Sequence, residues 1–122
     1  MQDFKMYGAL ALAYMGDAVY ETIIRRHLLE KANMPVNKLH KLAKDYVSAT
    51  AQSALMDIIK PHLTEEELAV YKRGRNAKPH TVPKNTDINV YKRATGLETL
   101  IGYLYLTGST SRIDELVGLI LK

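Results

Sequence analysis

Two apolar segments, each carrying a single acid, set the strongest limit on how this chain folds. From Met6 to Tyr20 the only charged side chain is Asp17, and from Ala94 to Thr107 the only one is Glu98. Neither segment contains proline or alternates apolar with polar residues, so both read as helices rather than strands. An ionised carboxylate alone in such a setting costs several kcal/mol unless it is paired or bound to a metal. The economical solution is an all-α domain in which the two segments are the central helices and pack against one another. Two facing carboxylates repel, and one is driven to take a proton unless a cation lies between them. Hard oxygen ligands suit Mg²⁺, with Mn²⁺ as a substitute. A second reading is open at this point: Asp17 accepts hydrogen bonds from a helix end, and Glu98 pairs with a Lys or Arg. Small neighbours favour a cleft, with Ala13, Gly16 and Ala18 around Asp17, and Thr95, Gly96 and Gly102 around Glu98.

Punctuation between the helices is clear. A first helix is expected from Gly8 to about Leu29, ended by "NMP". Asn37 is placed to cap a second from Lys38, and Ser48 a third from Ala49 to Ile59. Thr64 with Glu67 forms a capping box for a fourth, expected to end near Arg73. Thr86 or Asp87 caps the Glu98 helix, and Ser111 with Asp114 opens the last, running to Leu121. The 122 residues make one domain, 1–122, with no internal repeat or linker. The segment 74–87, "GRNAKPHTVPKNTD", reads as a long and therefore functional loop.

Charge is localised. Between Tyr71 and Arg93 lie seven basic residues and one acid, which leaves ten bases and 12 acids for the rest of a chain that totals 17 and 13. Such a patch suits a polyanionic partner, although a solvated surface fits the composition equally well. There is no cysteine, hence no disulfide or thiolate metal site. No signal-peptide pattern opens the chain, and its apolar runs are too short to span a bilayer. The expectation is a cytoplasmic protein without a membrane partner.

"LAYMGDAVYE" resembles the ribonuclease III signature, an apolar helix with Leu-Gly-Asp-Ala and a Glu four residues later. "GLETLIGYLYL" is similar to that family's second motif. The chain's short length, with "KRGRNAK" followed by "PKNTD", resembles the Mini-III branch, which keeps the nuclease domain and lacks a separate double-stranded-RNA-binding domain. The resemblance implies a homodimeric helical bundle, a ribonuclease III endonuclease-like domain that cuts double-stranded RNA with Mg²⁺ and leaves 5′-phosphates. It implies catalytic and metal-binding roles for Asp17 and Glu98. The substrate implied is the precursor of the large-subunit (23S) ribosomal RNA, with a ribosomal protein on that RNA as a further candidate partner. Two departures stand out: Ala13 and Thr95 occupy positions where most relatives keep acids. They motivate an alternative, a non-catalytic duplex-RNA or ribosome-binding module on the same fold. Thr95 and Glu21, one turn beyond Asp17, are candidate helpers to the reduced acid set.

Duplex RNA is read chiefly through phosphates and 2′-hydroxyls, because its deep major groove excludes side chains. A chain without a separate binding domain must grip with its own basic segment. Lys72, Arg73, Arg75, Lys78 and Lys84 are the expected phosphate contacts, and Asn76 and Asn85 the expected contacts to sugars or base edges. Lys92 and Arg93, ahead of Glu98 on its helix, are expected to bring positive charge beside the carboxylates. His40 and His80 are expected at the surface. Tyr14, Tyr20, Tyr91, Tyr103 and Tyr105 are expected to pack in the core or at a dimer interface.

Overall fold

The structure is a computed structural model that describes residues 3–79 and 81–122. His80 therefore lies outside the described residues. Among the described residues six α-helices follow a short 3₁₀ turn at Phe4–Met6: α1 (Ala9–Lys31), α2 (Val36–Val47), α3 (Ala49–Ile59), α4 (Glu65–Asn76), α5 (Ile88–Leu106) and α6 (Thr110–Gly118). Among the described residues there is no strand.

α5 is the hub. Ten apolar or small residues from Ala94 to Leu104, interrupted only by Glu98, are buried because α1, α3, α4 and α6 all pack on this helix. α1 contributes a single stripe, Leu12, Ala13, Gly16, Tyr20, Ile24 and Leu28, which follows the four-residue spacing of one helix face. The two helices cross with their backbones touching. A Cβ added at Gly16 would lie 1.7 Å from the Glu98 carbonyl oxygen, and one at Gly102 would lie 1.9 Å from that of Leu12. Only glycine permits this approach, and it sets Asp17, the residue after Gly16, beside Glu98.

Local signals position the other elements. Ser48 caps α3 by accepting from Ala51 N–H, and Asp87 caps α5 by accepting from Asn89 and Val90 N–H. Thr64 and Glu67 form the expected capping box. Glu67 is buried and also accepts two hydrogen bonds from Arg112, at 2.8 and 2.9 Å, which fastens α6 to α4. The buried Tyr20 hydroxyl donates to the Val47-flanking carbonyl of Tyr46 at 2.8 Å and ties α1 to α2.

Three expected boundaries are corrected. α2 begins at Val36 behind Pro35, not at Lys38 behind Asn37, because the fixed proline φ already suits a helix start. α4 runs through Gly74 to Asn76: this glycine sits against α5, where a Cβ would meet Thr99 Oγ1 at 2.2 Å, so it serves packing and does not break the helix. Hence Gly74, Arg75 and Asn76 belong to a helix, and the intervening loop is shorter than the segment 74–87. α6 starts at Thr110 behind Ser109 and closes at Gly118.

Candidate functional site

α1 and α5 bring together the two lone acids. Asp17 and Glu98 lie side by side within hydrogen-bonding reach. Their burial differs, and one expectation is corrected: Glu98 is half-buried, but Asp17 is exposed. Asp17 follows the buried Gly16 and turns off the α1 stripe toward the rim of the crossing. The apolar residues around it, Tyr14 (83% exposed) and Ala18, are exposed as well. The Met6–Tyr20 segment thus has two apolar faces, one in the core and one outward.

Burial, then the charge and hydrogen bond of Asp17, push the Glu98 carboxyl up to about 8. Gln52 alone opposes this by donating to Glu98. Sequence reasoning passed over Gln52. It lies on α3, only 2% exposed, and its Nε2 donates to the Val47 carbonyl at 3.0 Å and to Glu98 Oε2 at 3.4 Å. Its Oε1 is buried and has no hydrogen-bond partner among the described residues. The signal was present in "ATAQSALMDII", where the amide interrupts a small and apolar run.

Among the described residues no three His, Asp or Glu side chains converge as a metal cluster. Two adjacent carboxylates nonetheless form a donor set that suits a hard divalent cation, which keeps several waters when bound by one or two carboxylates. A cation there would reverse the repulsion that raises Glu98, and the unpartnered Gln52 Oε1 offers an acceptor for a water beside it. The residues present therefore fit the ion. Thr95 is nine-tenths buried, and its hydroxyl donates back to the Tyr91 carbonyl at 3.0 Å. Glu21 pairs with Arg25 at 3.0 Å.

The expected RNA-contacting residues separate into four groups. Arg73 donates to the Lys5 and Tyr7 carbonyls, so its guanidinium fastens the N-terminal turn to α4. Lys78, Lys84 and Asn85 are exposed between α4 and α5, with Asn85 at φ 64°, a left-handed turn that asparagine tolerates. Lys72 is exposed on α4. Arg75, Asn76, Lys92 and Arg93 line a cleft bounded by α3, α4 and α5. This corrects the placement of Lys92 and Arg93. Roughly 100° per residue turns them about 120–140° around α5 from Glu98, so they do not flank the carboxylates.

Among the tyrosines, Tyr20 and Tyr103 are core residues, Tyr91 is partly buried, and Tyr14 and Tyr105 are exposed. Tyr105 lines an apolar groove of about 380 Å³ with Met15, Val19, Ile23 and Ile113, on the outward face of α1. His40 is exposed, as expected. No helix among the described residues is long and apolar enough to cross a membrane.

The arrangement is shared with known proteins. Residues 10–109 match the ribonuclease III domain family. The chain is 49% identical to a Mini-ribonuclease 3 of Enterococcus faecalis, over 100% of this chain and 94% of that protein. It is 48% identical to a Mini-ribonuclease 3 of Clostridium tetani, over 99% and 81% respectively. A crystal structure of a Fusobacterium nucleatum protein superposes with a TM-score of 0.89 at 32% identity, covering 99% of this chain and 98% of that one.

Proposed function

Since the chain belongs to the ribonuclease III family, in its Mini-ribonuclease 3 branch of endoribonucleases, we propose that it cleaves double-stranded RNA with a divalent cation held by Asp17 and Glu98. The observation that carries this is the glycine-enforced crossing of α1 and α5, which sets two carboxyl groups beside each other next to a buried acceptor with no partner among the described residues. Such a pair is costly for folding alone and useful around Mg²⁺ or Mn²⁺. When bound, the ion supplies charge stabilisation at the phosphate and lowers the pKa of the attacking water. Asp17, at the exposed rim, is reached by the RNA backbone. Glu98 lies deeper, held by Gln52, and gives up its proton as the cation is bound.

The basic residues Lys72, Arg75, Asn76, Lys78, Lys84, Asn85, Lys92 and Arg93 supply the grip on the duplex, with Arg73 bracing that surface from behind. The resemblance to the Mini-III branch supports the precursor of large-subunit (23S) ribosomal RNA as substrate, with a ribosomal protein on it as a partner. The outward apolar face of α1, with Tyr14 and the neighbouring groove, supports a homodimer in which a second copy covers this face. Sedimentation tests that part: a 13.8 kDa species for the native chain, unchanged in Tyr14→Asp, excludes the dimer.

Cleavage is tested with a labelled RNA duplex and Mg²⁺. The native chain cuts it, and Asp17→Asn and Glu98→Gln leave it intact. Equal cleavage by native and substituted chains refutes the assignment. Duplex binding without cleavage by the native chain, across Mg²⁺, Mn²⁺ and Co²⁺, establishes the non-catalytic alternative that Ala13 and Thr95 motivate.

A further inference from the structure

The cleft bounded by α3, α4 and α5 has a volume of about 360 Å³ and gathers Lys60, Arg75, Asn76, Asn89, Lys92 and Arg93 around a single acid, Asp57. Lys60, in the 3₁₀ turn after α3, lies outside the basic segment that the sequence singles out, and Asn89, on α5, is not among the contacts expected within it. Ion pairs among the described residues use Lys5, Arg25, Arg26 and Arg112, whereas none of the four cations of the cleft enters one.

Two of these cations are fixed without being neutralised. Arg93 Nε donates to Oγ of Ser53 at 2.7 Å, and Ser53 is only 4% exposed. Arg75 Nε donates to Asn76 Oδ1 at 3.2 Å, and its guanidinium lies 5.8 Å from the centre of the Tyr71 ring. Each arginine is thus anchored through Nε or its flat face, which leaves the terminal N–H fork for a ligand. Planar forks of this kind match phosphate oxygens in pairs. A structural account covers only part of the cluster: Arg75 suits the C-terminal end of α4, but Lys92 and Arg93 are in the second turn of α5 and gain nothing from its dipole.

We propose that this cleft is a phosphate-binding site that seats a backbone phosphate of the RNA other than the one being cut. The proposal rests on the duplex-cleavage reading above and adds to it. None of Asp17, Gln52 and Glu98 lines the cleft. Arg93 lies about 7.5 Å from Glu98 along α5 and roughly 140° around it. One phosphate cannot occupy both places, so a duplex engaged at the cleft and at the carboxylates is held at two points. That fixes which phosphodiester reaches Asp17, and Lys60 becomes a determinant of register.

The Lys60 side chain is exposed and enters no ion pair or hydrogen bond among the described residues, while its backbone bonds are indifferent to the side chain, so Lys60→Glu reports on the ligand. Lys31→Glu, at the far end of α1, is the matched charge control. Duplex binding is measured on the Asp17→Asn background, which separates grip from cleavage. Adding Lys60→Glu there should weaken binding roughly tenfold and lower the slope of log affinity against log salt by about one. With Asp17 intact, Lys60→Glu should raise KM by a similar factor and leave kcat within about twofold, as expected when ground-state and transition-state binding are lost equally. Native duplex affinity in Lys60→Glu overturns the proposal while the cleavage reading stands. Absence of duplex binding by the Asp17→Asn chain itself counts against the cleavage reading instead. A third arm titrates inorganic phosphate alone. Phosphate binding that Lys60→Glu abolishes, combined with unchanged duplex affinity, shows a site for free phosphate and also overturns the proposal.

Discussion

Gly16→Ala tests the idea that backbone contact between α1 and α5 builds the site. The added Cβ would lie 1.7 Å from the Glu98 carbonyl oxygen and 2.8 Å from Gly102 N, against an ordinary contact of at least 3.4 Å. Both obstacles are backbone atoms, so no rotamer change relieves them, and the helices must part by well over an ångström at their crossing. Overpacking of this kind costs about 1–3 kcal/mol and sometimes more, and a clash between backbones belongs at the upper end. Replacing glycine by alanine inside a helix returns at most about 1 kcal/mol. A net loss of about 2.5 kcal/mol follows, which for a domain of this size lowers Tm by about 10 °C. Gly118→Ala is the control: nothing lies within 4 Å of its added Cβ, so Tm should hold or rise by a few degrees. Thermal melts followed by far-ultraviolet circular dichroism at one protein concentration compare the three chains. The substitution also separates Asp17 from Glu98, so cleavage by the folded Gly16→Ala fraction should fall. A Gly16→Ala chain as stable and as active as the native one refutes the reasoning.

The carboxylate pair gives a pH signature. Burial and Asp17 raise Glu98 from an ordinary 4.5 to about 8, so the folded state holds a proton that the unfolded chain releases. Its contribution is present below about pH 4.5 and is lost as pH rises toward 8, by a few kcal/mol at most. In EDTA, Tm should fall across that window, Glu98→Gln should flatten the profile, and identical profiles would contradict the pairing. Arg112→Met strands the buried Glu67, whose carboxyl Arg112 holds below its usual range; urea unfolding should show a loss of about 2–3 kcal/mol, and under 1 kcal/mol would discount the anchor. Gln52→Leu removes the donor to Glu98 and the free acceptor beside it. Mg²⁺ affinity measured by calorimetry should drop roughly tenfold, and unchanged affinity would remove Gln52 from the site.

What could be read from the residues, and what could not, divides along physical lines. Caps announce themselves because a side-chain oxygen at a fixed offset satisfies a specific N–H, which is why Ser48, Thr64 with Glu67, and Asp87 were legible. Gly74 was misread because one residue type serves opposite ends: it can break a helix or let one pass close to a neighbour, and only Thr99 across the gap decides. Asp17 was read as buried because a lone acid in an apolar run implies a core. The run instead faces two ways, and its outward side supports a partner surface rather than an interior. Lys92 and Arg93 were near Glu98 in sequence but lie around the helix from it. Their spacing of six and five residues from Glu98 already implies that rotation once the segment is a helix, so closeness along the chain was the wrong guide to closeness in space.

The absence of acids at Ala13 and Thr95 acquires a physical meaning from Gln52. Ala13 is buried at 6% exposure and Thr95 at 9%, so a carboxylate at either place would add a third charge to a crossing where Glu98 already resists ionisation. Gln52 puts a neutral amide at this crossing: Nε2 steadies Glu98 and Oε1 stays open as an acceptor, with no further desolvation of charge. Two carboxylates would balance the one divalent ion proposed for them, and the repulsion between them without it is the same free energy that would favour its binding. By linkage, a cation that binds only the folded chain should stabilise it by an amount that grows with the logarithm of its concentration over Kd. Removing either charge should therefore weaken Mg²⁺ binding and make the metal-free chain more stable at neutral pH, two opposite effects from one substitution that a purely structural role for Asp17 or Glu98 does not produce.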